Sequence, residues 1–282
     1  MGTAIGYRNN GMGVTERTDT WWIAPVAVLL GLLAFVVYST WAAWQGEYFF
    51  WSATANPENF GGYLSPFYSP PLFIKEGMNG IPPLSHALLG PWPDWLWWLP
   101  GYSPAWLILV FPLSFRFTCY YYRKAYYRAF AWSPPACAVG AVPQKPYKGE
   151  SGLLVIQNLH RFAMYFAVIF IFLLSYDAVM SFFNDGVFGV GVGSIVLLIN
   201  PILLGAYTFG CHSIRHLVGG NMDCFSCSVR AKTSHKAWSL VTVLNERHQL
   251  FAWLSLFWVG FSDVYVRLVS MGVITDINSW GV

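Results

Sequence analysis

The sequence predicts an all-α, polytopic membrane protein: a five-transmembrane-helix bundle with its N-terminus in the cytoplasm. Three observations predict it: very few charged residues, apolar stretches long enough to cross a bilayer, and basic residues gathered in alternate connections. Only 10% of the 282 residues are charged and 56% are hydrophobic, whereas a soluble domain carries about 25% charged residues. A helix rising about 1.5 Å per residue needs about 20 apolar residues to cross a core about 30 Å thick. Five stretches meet that length, at about 21–44, 104–124, 153–176, 190–214 and 248–269. Lipid offers no partners to free amides, so each must be helical. Residues 1–282 therefore read as a single transmembrane domain.

The elements follow in order. The first 20 residues are polar and contain no short apolar core ending in a cleavage site, so no cleavable signal peptide is expected. The first span, 21–44, leads into an outer loop, 45–103, rich in Pro, Gly and aromatics. There "WPDWLWWLP" predicts an interfacial helix in the aromatic belt. The second span contains Pro112 and Arg116, and the fourth contains Asn200–Pro201, so both are expected to bend. Charge orients the set. The N-terminal tail has Arg8 and Arg17, the 45–103 loop only Lys75, and the 177–189 loop no basic residue. Residues 123–148 hold Arg123, Lys124, Arg128, Lys145 and Lys148, and residues 215–247 hold Arg215, Arg230, Lys232, Lys236 and Arg247. The N-terminus is thus placed inside and the C-terminus outside. A net charge of +3, tied to the loops, gives no basis for nucleic-acid binding. A transporter built from broken repeat halves finds no support, which leaves a non-redox anchor as the bland alternative.

With that orientation, Cys119, Cys137, Cys211, Cys224 and Cys227 lie at or near the cytoplasmic face, where reducing conditions argue against disulfides. His160, His212, His216, His235 and His248 share that side, and only His86 is outside. Cys119 lies one turn before Arg123, Cys211 one turn before Arg215, and His248 opens the fifth span. His160 falls about 10 Å into a third helix starting near Leu153. A lone cysteine is a small hydrophobe, and a lone histidine at a helix end is a polar tip. An ionisable group inside the membrane is costly and usually functional, and here four helices each bring one sulfur or imidazole to a similar depth.

Cys119, His160, Cys211 and His248 are therefore the candidate metal ligands, with Cys137, His212 and His216 in reserve. Two histidines alone suit a haem b. Two Cys with two His suit a Rieske-like [2Fe–2S] cluster, whose imidazoles raise the potential and favour electron delivery to a quinone. A structural zinc explains neither the burial nor the basic surround. Arg116 lies about 18 Å along the second span. It shares a helical face with Cys119 and Arg123 at i, i+3 and i+7, where it would stabilise a reduced centre or bond a quinone carbonyl; packing against Tyr120 is the alternative. Asp263 and Arg267 read as an interfacial pair, and the Cys224/Cys227 CxxC as loop chemistry.

The stretches "FRFTCYYYRKAYYRAFAWSPPACAV", "NLHRFAMY", "CHSIRHLVGG" and "NERHQLFAWLSL" resemble the single membrane anchor of actinobacterial succinate dehydrogenase of the mycobacterial Sdh1-like type, part of respiratory complex II. The resemblance runs from about residue 104 to the C-terminus; "CFSC" has no place in it. It implies a multi-pass subunit of the bacterial inner (plasma) membrane, without dehydrogenase activity alone. It implies as partners a flavoprotein subunit with FAD and an iron–sulfur subunit with further clusters, and menaquinone as electron acceptor. Arg116, Tyr120, Arg123, Tyr127, Trp132, Arg215 and His216 are then the candidate quinone-binding residues. A haem b-carrying cytochrome b subunit of this or another membrane oxidoreductase is the competing expectation.

Overall fold

Among the described residues, four helices are long and apolar enough to cross a membrane: α1 (Ile23–Gln45), α6 (His160–Met180), α7 (Val192–Phe209) and α10 (His248–Ser270). The computed structural model describes residues 11–54, 61–142, 153–220 and 222–281. Arg8, Lys145 and Lys148, used above to orient the chain, lie outside them. Val26, Leu30, Leu33 and Val37 of α1 are exposed, as lipid-facing side chains are.

The expected second span is not one helix. It is divided into α2 (Ala105–Ile108), α3 (Val110–Thr118) and α4 (Tyr120–Ala129). Pro112 has no N–H to offer the Ile108 carbonyl, and α2 stops at that carbonyl. Cys119 then turns extended, with ψ 129°, and ends α3. The apolar part, Ala105–Thr118, is too short to count with the long spans.

The third span also begins later than expected. A short α5 (Leu153–Gln157) ends in a tight turn, because Asn158 and Leu159 bond back three residues rather than four. The fourth ends at Phe209, where Gly210 precedes an extended Cys211, and a short α8 (His212–Gly219) follows. Between α8 and α10 lies a separate polar helix, α9 (Val229–Glu246). The described residues are mostly helical, with two small two-stranded ladders: β1 (Phe50–Trp51) with β2 (Tyr63–Leu64), and β3 (Phe183–Asn184) with β4 (Val187–Phe188).

The chain divides into two compact units, Met1–Val37 with Arg116–His160, and Tyr38–Phe115 with Arg161–Val282. In the first, the segment ahead of α1 runs beside residues 137–140. Gly13 N–H donates to the Gly140 carbonyl at 2.9 Å, and Gly140 N–H to that of Val14 at 2.8 Å. Thr15 and Arg17 donate to the Ala138 and Cys137 carbonyls.

In the second unit, α7 and α10 form the principal packed pair. Val196, Leu197, Ala252, Leu256 and Val266 are buried, and Trp258 Nε1 donates to the Val196 carbonyl at 3.0 Å. Residues 46–54 and 61–104, which charge assigns to the exterior, cover one end of this pair. "WPDWLWWLP" forms only a 3-10 turn at Asp94–Leu96, because prolines at 91, 93 and 100 leave no room for a helical ladder. Trp95, Trp97 and Trp98 still face outward while Trp92, Leu96 and Leu99 are buried.

Three carboxyl groups fasten the cover, those of Asp263 and Asp276 buried and that of Asp177 half-buried. Tyr63 donates to Asp276 at 2.8 Å, Ser65 to Asp263, and Ser69 to Asp177. Burial pushes the Tyr63 pKa up, so its phenol stays a donor. Asp263 and Arg267, expected at the interface, are instead buried with side chains 0% and 3% exposed, because the 63–69 segment lies over them. Arg267 Nε donates to Asp263 at 2.8 Å, and its other nitrogens donate to the carbonyls of Ala42 and Glu47 at 2.9 and 2.8 Å. Tyr38 completes the network by donating to Asp263 at 2.5 Å.

The end of α1 meets the loop through two glycines. Gly46 and Gly101 have φ of 64° and 65°; a Cβ on Gly101 would lie 2.0 Å from the Trp44 carbonyl oxygen. Gly101→Ala is therefore expected to destabilise the protein by about 1–3 kcal/mol, read as a lower unfolding midpoint of the purified complex in detergent. An unchanged midpoint would mean that this contact yields without cost.

Candidate functional site

All four candidate metal ligands stand where a helix is interrupted. Cys119 joins α3 to α4 and Cys211 joins α7 to α8, both with extended backbone, at ψ 129° and 144°. His160 is the first residue of α6 and His248 the first of α10, after the non-helical Arg247. The two cysteines repeat one local design. Each bonds back by its N–H to the carbonyl three residues earlier, Arg116 or Thr208. Each accepts at its own carbonyl from the N–H of an arginine four residues on, Arg123 at 2.9 Å or Arg215 at 3.1 Å. Both thiols are buried, at 3% and 2% exposure, and neither is in a disulfide.

In the first unit, Thr118 Oγ1 and His160 Nδ1 are 2.9 Å apart, tying the residue before Cys119 to the imidazole. Arg123 donates to Gln157 Oε1 at 2.8 Å, and Gln157 Nε2 donates in turn to the Tyr126 hydroxyl. The Arg123 guanidinium also lies 4.9 Å from the Tyr120 ring and 5.9 Å from that of Tyr127. This holds a cation at a fixed place beside two aromatic faces.

The extended Cys119 also cancels the i, i+3, i+7 face expected for Arg116, Cys119 and Arg123, because one continuous helix no longer carries them. Arg116 turns to Tyr122, not Tyr120, donating to its hydroxyl at 2.8 Å. Tyr120 is 73% exposed. Trp132 sits in a left-handed turn, its carbonyl accepting from Val142 N–H. Cys137, a reserve ligand, is exposed.

In the second unit, Asn245 Nδ2 donates to the Gly210 carbonyl at 2.8 Å, bringing the residue before Cys211 to the turn that precedes His248. The His248 ring stacks on Tyr207 at 4.9 Å and 21°, and Tyr207 meets Phe115 edge-on at 5.5 Å. His212 and His216 are exposed on α8. Arg215 lies 4.4 Å over the Trp238 ring of α9.

Thr118, Gln157, Tyr126, Tyr207 and Trp238 are contributors that the sequence reading did not single out. Gln157 had a signal, three residues before His160 in "QNLHR". Tyr207 had none, because its partner lies 41 residues away.

Of the four candidates, Cys119 and His160 lie in the first unit, and Cys211 and His248 in the second. Among the described residues, no three His, Cys, Asp or Glu side chains within either unit are grouped to hold a metal ion. The residues of one unit alone do not fit a four-ligand iron–sulfur centre. Cys224 and Cys227, expected as free thiols, are joined as a disulfide, their Cα atoms 5.8 Å apart and within bonding reach.

The chain matches the family described as actinobacterial succinate dehydrogenase subunit SdhC over residues 23–272. No curated protein matches it. Among solved structures it is similar to a chain of the Mycobacterium smegmatis Sdh1 complex in the apo form, at 41% identity and a TM-score of 0.79, covering 93% of this chain and 92% of that one. The repeated cysteine junctions and the four long apolar helices thus belong to a chain of the actinobacterial SdhC family, a multi-pass membrane subunit of the succinate dehydrogenase complex, respiratory complex II.

Proposed function

We propose that this subunit receives electrons from an iron–sulfur partner subunit and passes them to menaquinone at the end of the bundle that carries its basic residues. The flavoprotein partner holds FAD and oxidises succinate to fumarate. The carrying observation is the paired junctions, in which a buried cysteine and an arginine four residues later recur at two separate breaks between helices. Such junctions free backbone groups and gather cations without a continuous helix, which suits a site where negative charge accumulates. Exposed basic side chains on α9, Lys232 and Lys236, suit docking of a soluble partner.

The quinone-binding set is Arg116, Tyr120, Arg123, Tyr127, Trp132, Arg215 and His216. Within it, Arg123 is the best prepared, since Gln157 and two tyrosine rings fix its guanidinium where a quinone carbonyl would accept from it. Cys119, His160, Cys211 and His248 are proposed to hold a Rieske-like [2Fe–2S] cluster, which when bound would supply a one-electron relay of raised potential. Neither unit assembles three ligands alone, so no electron step is derived through that cluster.

Electron paramagnetic resonance of the reduced, purified complex tests the proposed ligand set. The expected result is a rhombic signal of low average g beyond those of the partner's clusters, lost in Cys119→Ser. A reduced α-band of b type with no such signal would replace the cluster by haem b.

A further inference from the structure

We propose that Cys224 and Cys227 form a thiol–disulfide switch that sets the position of Arg215 and thereby the rate of quinone reduction. This rests on the quinone-binding reading of Arg215 given above. Disulfides facing a reducing cytoplasm are usually transient, catalytic or redox-sensing rather than structural, and charge places this loop on that side. The pair is reachable, Cys224 being half-buried and Cys227 exposed. Among the described residues, no third His, Cys, Asp or Glu joins it in a metal-holding group.

A relay of rings links the pair to Arg215. Phe225, held between the two cysteines, packs on His235 at 4.8 Å and lies 6.4 Å from Trp238. His235 stacks on Trp238 at 5.8 Å and 18°. Trp238 is pressed against α8, where a Cβ on Gly219 would come within 2.6 Å of its ring. The Arg215 guanidinium lies over that ring, and its buried Nε has no hydrogen-bond partner among the described residues. Aromatic contact is therefore a principal restraint on this side chain. Its own N–H bonds the Cys211 carbonyl, so the relay ends at a cysteine junction. The closed disulfide fixes Phe225 against the stack, and opening it frees Phe225 and loosens the rings beneath Arg215.

The opening step balances by thiol–disulfide exchange with a dithiol protein of the thioredoxin class. A donor thiolate attacks Cys227 Sγ, the bond to Cys224 breaks, and Cys224 leaves as a thiolate that takes up a proton. The second donor thiol displaces Cys227, which is protonated in turn. The pair gains two electrons and two protons, and the donor becomes a disulfide. An oxidised dithiol donor reverses the step.

The test uses the purified intact complex, oxidised with glutathione disulfide or reduced with dithiothreitol, then alkylated and mapped by mass spectrometry. Succinate-dependent quinone reduction is expected to fall about 3- to 10-fold on reduction, the scale of a lost cation–π restraint, and to recover on reoxidation. Succinate oxidation with a soluble acceptor should not change. Phe225→Ala should reproduce the low rate with the disulfide intact, and C224S/C227S should be low and insensitive to dithiothreitol. Alkylation of both thiols in the glutathione-oxidised complex overturns the switch. So does a rate independent of thiol state in a complex whose rate still falls in Arg215→Gln. An unchanged rate in Arg215→Gln removes the quinone reading of Arg215, and the switch with it.

Discussion

Replacing His160 and His248 together by Ala is expected to abolish electron delivery to quinone while leaving succinate oxidation with a soluble acceptor intact. The two imidazoles begin α6 and α10 and are fixed by neighbours, one by the Thr118 hydroxyl at 2.9 Å and one by the Tyr207 ring at 4.9 Å. Groups that orient a metal-binding imidazole typically change activity or affinity by about 10–100-fold, so loss of both imidazoles should exceed about 100-fold. Thr118→Val, which removes only the orienting hydroxyl, should fall within that smaller range. The flavin chemistry belongs to a partner subunit under this reading and should not respond. The measurement is the ratio of quinone to soluble-acceptor rates in complexes shown to be assembled by size-exclusion chromatography. A normal ratio in the double variant would remove both histidines from the electron path.

Asp263→Ala should give the largest loss of stability. It leaves the Arg267 guanidinium buried without its carboxylate, and stranding one member of a buried ion pair costs about 3–5 kcal/mol. It also deprives Tyr38 and Ser65 of their acceptor, so the 63–69 segment loses one of its three carboxylate ties. Replacing both members by apolar residues, as Asp263→Leu with Arg267→Met, should recover much of the loss, because no charge then remains without a partner. Unfolding midpoints of the purified complexes in detergent measure both effects. Equal midpoints for wild type and Asp263→Ala would show that the pair contributes nothing to stability.

The apolar runs were legible because bilayer thickness imposes a length on them, and the four long helices fall on four of the five runs. The interruptions were not legible from hydropathy. Cys119 and Cys211 are apolar enough to continue a run, and only the extended backbone at each reveals a junction. Sulfur and imidazole stand close to the basic loops in the sequence itself. Their immediate partners were partly hidden, since Thr118 reaches His160 across 42 residues and Asn245 reaches Gly210 across 35. Asp263 and Arg267 showed their i, i+4 spacing, yet Ser65 and Tyr38 come from 198 and 225 residues away. No periodicity encodes that distance, so the pair looked peripheral when it is central.

The hydroxyl ties to Asp177, Asp263 and Asp276 have a practical consequence for a cell whose surroundings change in salinity. Dissolved ions screen charges that face water, largely so beyond about 10 Å at 0.1 M salt, and act far less on charges shut away from it. A cover fastened by neutral donors on enclosed acids should keep its shape from dilute to concentrated media. The exposed lysines of α9 have no such insulation, so their attraction for an acidic partner should weaken as salt rises around them.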